Sequence, residues 1–196
     1  MDVITHYDLL IDENNDPFRD PPILQEYMCQ WDGKLFLESL ELTKSKKVLE
    51  IGIGTGRIAV KVAPYCKNLI GIDISPKTIK RAEDNLKEYT NITFVCGDFC
   101  DYKFSETFDV IYSSLTMMHF KNKENVIVKI DTLLNDDGIF CLSLDKNQDE
   151  YIDMETWKIK IYPDTLDNII SIIKATTMSI IRVIETDKAY IIVSKK

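Results

Sequence analysis

The chain has 196 residues, 45% of them apolar and 29% charged, which suits one compact domain with a full core and leaves little room for two. Its formal net charge of −8 would be repelled by a phosphate backbone or an anionic lipid surface, so neither nucleic acid nor a membrane is the expected partner. Without a leader or an apolar run long enough to span a bilayer, the expected location is the cytoplasm. Five cysteines (Cys29, Cys66, Cys96, Cys100 and Cys141) contain no CxxC pair and no zinc spacing, so they read as buried or idle thiols and no metal is expected.

Residues 1–46 open with "THYDLL", continue through an acidic segment at 12–20 that carries Pro17, and pass Pro21-Pro22 into helical stretches around 23–28 and 34–42. This segment is too small to fold alone and is expected to pack as a helical cap over one edge of the sheet that follows, within a single domain. Residues 47–196 form the body of that domain. Short apolar, β-branched runs at 47–51, 68–73, 92–95, 108–112 and 139–144 read as strands covered on both faces. A glycine-rich turn follows the first and leads to a helix starting near Arg57. Ser75-Pro76 is an N-cap and first helical position, after which Ile79, Ala82, Leu86 and Tyr89 share a face. Val126, Ile127, Ile130, Leu133 and Leu134 make another helix before turn residues 135–138.

The charged stretch 145–155 reads as a surface loop and 157–161 as an additional edge strand. Leu166, Ile169, Ile170 and Ile173 make a last helix. Runs at 178–185 and 189–194 are joined by only Thr186, Asp187 and Lys188, a link so short that the two must pair antiparallel. Alternating strands and helices imply right-handed crossovers and a parallel sheet with helices on both sides.

Ligands of such sheets bind beyond the carboxyl ends of the strands, where the winding reverses. Gly52, Gly54 and Gly56 let the backbone after the first strand come close to a ligand, with bare N–H groups turned toward it. A dinucleotide loop is spaced GxGxxG, whereas these glycines are spaced GxGxG, and Glu50 just before them would repel a pyrophosphate and suit a ligand bearing an ammonium or hydroxyls. Asp73, ending the second strand, can accept both hydroxyls of a ribose, a feature shared with NAD enzymes. Asp98, in "CGDF" after the third, can accept from an exocyclic amine. Three strand ends describe one nucleoside.

Glu50-Ile51-Gly52-Ile53-Gly54-Thr55-Gly56, Asp73 in "GIDIS", Asp98 in "GDF" and "FDVIYSSLTMMHF" together resemble the successive motifs of class I S-adenosylmethionine-dependent methyltransferases, in register from about residue 47 to 120. The resemblance implies an α/β, doubly wound, mostly parallel seven-stranded sheet with an antiparallel C-terminal hairpin, helices on both faces and an N-terminal helical cap. It implies S-adenosyl-L-methionine as cofactor and S-adenosyl-L-homocysteine as product. Gly52 and Gly54 would approach the methionine portion, Asp73 the ribose, Asp98 with Phe99 the adenine, and Ile74 the adenine face. Ser113 would offer a carbonyl to the cofactor's ammonium, and Glu50 would support the loop. Tyr7 would meet the cofactor's carboxylate or close the site, with Trp31 as a pocket wall.

His119, just past the fourth strand, is the candidate base or acceptor-positioning group. Exocyclic-amine methylases of the family carry an Asn/Asp-Pro-Pro-aromatic tetrad where this chain reads "YSSL", and Asp20-Pro21-Pro22-Ile23 lies in the cap as a turn and helix start. With the acidity, this favours a small-molecule acceptor. A non-catalytic cofactor-binding protein and an NAD-type oxidoreductase are the alternatives.

Overall fold

Apolar and β-branched residues dominate the strands that carry the site, as suits a sheet covered on both faces. In the computed structural model, which describes residues 1–196, these are β1 (Lys47–Ile51), β2 (Asn68–Asp73), β3 (Ile92–Cys96), β4 (Phe108–Ser114) and β5 (Leu134–Asp145). They are followed by β6 (Tyr151–Asp153), β7 (Lys158–Lys160), β8 (Ser179–Glu185) and β9 (Ala189–Lys195). The main sheet has seven strands in the order β3-β2-β1-β4-β5-β9-β8, parallel through β5, with β9 antiparallel to both of its neighbours. The chain therefore winds outward from β1 through β2 to β3 and returns to β4. The reversal falls between β1 and β4.

Around the sheet lie α1 (Val3–Asp12), α2 (Pro22–Asp32), α3 (Lys34–Ser39), α4 (Ala59–Val62), α5 (Pro76–Asn85), α6 (Lys123–Leu133) and α7 (Leu166–Lys174). Successive strand residues point to opposite faces, so Val48 and Leu49 enter different cores. Leu49, Ile111 and Phe140 pack under α6 and α7 through Val126, Ile130, Ile169 and Ile173. Val48, Leu69, Val110 and Ile139 share the other core with Phe36 of α3 and Ile79 of α5.

Four expectations change. The helix after the glycines is one turn long, because Pro64 has no N–H to continue it and the chain passes into a 3₁₀ turn at Ala63–Tyr65. Residues 135–138 lie inside β5 as an excursion: Phe108 pairs with Leu134 and Val110 with Ile139, and Asp137 takes φ 63° between them. β7 does not join the main sheet. It pairs antiparallel with β6, placing Ile152 opposite the buried Ile159, so the charged loop contributes three residues to a separate hairpin.

The cap also differs from the arrangement expected. An additional helix, α1, lies against α5, while α2 reaches across to β5 and β9, so residues 1–46 span the strand ends rather than one edge. Side chains pin it there. Ser75 Oγ, which caps α5 by accepting from Thr78 N–H, donates to Asp8 at 2.6 Å. Buried Asp16 meets Arg81 at 3.0 Å and accepts from Asn85 Nδ2.

Candidate functional site

A cavity of about 310 Å³ opens over the carboxyl ends of β1, β2 and β4, at the low end of the size range for small-molecule sites. Its floor is the turn after β1. Gly52 and Gly54 both take positive φ, 79° and 55°, but for different reasons. A Cβ on Gly52 would stand 2.0 Å from Thr116 Oγ1, whereas a Cβ on Gly54 would meet no protein atom within 4 Å. Gly52 is bare because of a neighbour. Gly54 is bare toward open cavity, the cradle a bound group would fill.

The three acids differ in what holds them. Asp73 accepts from Gly54 N–H through Oδ2 and from Ser75 N–H through Oδ1, both at 3.0 Å. Burial raises its carboxyl above the usual range, with these N–H groups pulling the other way. Because each oxygen can accept again, the carboxylate is preoriented for two further donors. Asp98 is exposed and accepts from Cys100 N–H at 2.7 Å, leaving its other oxygen for a ligand. Glu50 is almost fully buried and accepts from Tyr112 Oη at 2.7 Å; burial pushes its carboxyl well above the ordinary value, with the Tyr112 hydrogen bond and the Arg57 charge pulling the other way.

Ile74 and Phe99 also line the cavity. Ser113 does not. Strand β4 runs two residues beyond the expected end, so Ser113 is still inside the sheet, fully buried, with Oγ donating to Ile51 O at 3.1 Å. Ser114 and Leu115 form the wall instead.

An ion pair that sequence reasoning missed closes the side facing the cap. Arg57 donates from both terminal nitrogens to Asp32 at 2.6 Å, and Ser114 Oγ donates to the same carboxylate at 2.6 Å. Asp32 ends α2, so the pair ties the cap to the glycine turn and to the end of β4. The one available signal was Arg57 itself, a charge between Gly56 and the apolar run Ile58-Ala59-Val60. Trp31, beside it, is not a cavity wall; its ring packs on Tyr27 while its backbone carbonyl accepts from Ser143.

Opposite lies a group of aromatic and imidazole rings. Tyr7 Oη and His119 Nε2 are 2.8 Å apart, and Trp157 Nε1 donates to His6 Nδ1 at 2.9 Å. Burial pushes the His119 imidazole down to about 4, with His6 adding to the effect, so it is neutral over the physiological range. Its Nδ1 is buried without a partner. Burial pushes the Tyr7 phenol up, with the Asp73 charge contributing in the same direction. Tyr7 and Leu115 line a second cavity as well, of about 270 Å³, bounded by β5, the β6–β7 hairpin and the start of α6.

Residues 42–193 match a family model described as a methyltransferase domain. A malonyl-[acyl-carrier protein] O-methyltransferase of Ilyobacter polytropus is 28% identical over 144 residues, 72% of this chain and 54% of that protein. A putative protein N5-glutamine methyltransferase of Methanocaldococcus jannaschii is 33% identical over 133 residues, 67% of this chain and 63% of that protein. The matches thus cover under two thirds of either relative's length. The crystal structure of the N-methyltransferase NodS from Bradyrhizobium japonicum, in complex with S-adenosyl-L-homocysteine, superposes with a TM-score of 0.73 at 21% identity, covering 97% of both chains. That likeness shows a shared fold.

Proposed function

The chain belongs to the class I S-adenosylmethionine-dependent methyltransferases, and from that premise we propose that it methylates a small-molecule acceptor, with the cofactor in the cavity over Gly54 and the acceptor beyond Tyr7. The cofactor supplies a methyl group on a sulfonium, already activated by its positive charge. The protein's task is then to bind, orient and exclude water, and orientation alone can supply much of the acceleration.

In this reading Asp73 accepts the ribose hydroxyls, Asp98 the adenine amine, and Ile74 and Phe99 flank the ring. Gly52 and Gly54 bring backbone close to the methionine portion, with Glu50 supporting the loop from beneath. The strand-end position first given to Ser113 passes to Ser114 and Leu115. Tyr7 closes the cavity from the cap. His119, being neutral but weakly basic, holds Tyr7 and orients the acceptor rather than drawing a proton from it.

The observation that carries this is the cradle at Gly54 beside the doubly held Asp73 carboxylate. A small acceptor suits the second cavity, whose volume of about 270 Å³ matches a small molecule, and "YSSL" at the end of β4 lacks the tetrad of the exocyclic-amine methylases. S-adenosyl-L-homocysteine at a hundred times its dissociation constant should stabilise the fold by about 2.7 kcal/mol, read as a higher melting temperature, and Asp73→Ala should remove most of that gain. No shift at millimolar ligand would overturn the cofactor assignment. With methyl-labelled cofactor and cell extract, label should enter the dialysable fraction. Label retained by macromolecules would overturn the small-acceptor reading.

A further inference from the structure

The second cavity differs in chemistry from the first. Met117, Leu144, Ile152 and Ile161 give it apolar walls, and its charged groups are Lys123, Asp145 and Asp164. Lys123 is already engaged: Nζ donates to Tyr162 O at 2.5 Å and to Phe120 O at 3.2 Å and stands 3.7 Å from Asp164 Oδ2. Two hydrogen bonds and an ion pair occupy the ammonium. Asp145 has no cationic partner; its Oδ1 accepts from Asn147 N–H at 2.9 Å. The walls thus carry two carboxylates against one spent ammonium.

On the methyltransferase reading above, we propose that this chamber takes a small amine on an apolar body and that Asp145 makes it selective for nitrogen. A carboxylate, phenolate or thiolate acceptor would bring a negative charge to net-negative walls that offer no free cation, a juxtaposition that is unfavourable wherever the local dielectric is low. For an amine the sign is reversed. The amine docks as its ammonium beside Asp145 and gives one proton to water before attack; its lone pair then forms the N–C bond as the S–C bond breaks with its electrons going to sulfur. The positive charge that stood on sulfur ends on nitrogen, inside the chamber, where Asp145 stabilises it. The product ammonium returns a proton to solvent on release.

Phenethylamine and phenylacetate test this, since they share an apolar body and differ in charge. Protein loaded with S-adenosyl-L-homocysteine, its loading verified by its melting shift, is titrated calorimetrically with each. Phenethylamine should bind at least about tenfold more tightly. Asp145→Asn should abolish the preference and Asp145→Lys should reverse it, with both variants still showing the melting shift. With S-adenosyl-L-methionine, mass spectrometry should find N-methylphenethylamine and no methyl phenylacetate. Equal binding of the two probes, binding of neither, or an amine preference that survives Asp145→Lys would overturn the proposal while leaving the cofactor assignment standing.

Discussion

Gly52 and Gly54 look alike in the sequence, and the structure assigns them opposite sensitivities. Alanine at Gly54 pays the cost of left-handed backbone, about 1 kcal/mol, but meets no protein atom. For a chain of this size that corresponds to about 3 °C in melting temperature. The added methyl occupies space assigned to the cofactor, where overpacking of about 1–3 kcal/mol weakens binding by about tenfold or more. Alanine at Gly52 has the same backbone cost and drives Cβ to 2.0 Å from Thr116 Oγ1, within the turn that closes β4, so the loss rises to about 2–5 kcal/mol. Thr116→Gly in that background should recover the packing part. Thermal melts with and without S-adenosyl-L-homocysteine separate the two effects: Gly54→Ala folds and binds poorly, Gly52→Ala folds poorly. A Gly54→Ala protein that binds the ligand as tightly as the parent, or melts as low as Gly52→Ala, would refute the assignment of open space at Gly54 to the cofactor.

Two further outcomes follow from the buried charges. Asp32→Asn leaves Arg57 without its bidentate partner and should cost about 3–5 kcal/mol, on the order of 10 °C in melting temperature; a change within about 2 °C would show the pair to be dispensable. His119 is held at about 4 when folded against 6.5 in a free chain, so its contribution is intact above pH 6.5 and is lost as pH falls toward 4, where the unfolded chain takes up a proton that the native one refuses. The full loss is about 3 kcal/mol. Denaturant titrations of the parent and His119→Asn across that window should show the difference shrinking as the pH drops; a constant difference would argue that the imidazole titrates normally.

The sheet was legible because its signals are local. β1 and β2 match the sequence reading residue for residue, since each is a short β-branched run bounded by turn or charged residues, and the cap of α5 is written in Ser75-Pro76. The acids near the strand ends were legible for the same reason: Asp73 is the last residue of β2, and Glu50 and Asp98 lie within two residues of the ends of β1 and β3. Where β4 stops was not, because the apolar run ends at Tyr112 while the pairing to β5 continues through Ser114, moving the cavity wall one residue past Ser113.

What only the tertiary structure decided are meetings across long stretches of chain. Tyr7 reaches His119 across 112 positions, Asp32 reaches Ser114 across 82, and the β6–β7 hairpin borders a cavity also lined by β5. No periodicity encodes such contacts, because they depend on how separate elements stack once their apolar faces are buried. By itself the sequence determined the parallel strands and the acids near their ends; folding alone decided which charges are neutralised, and so left the second cavity with two carboxylates around a lysine already engaged.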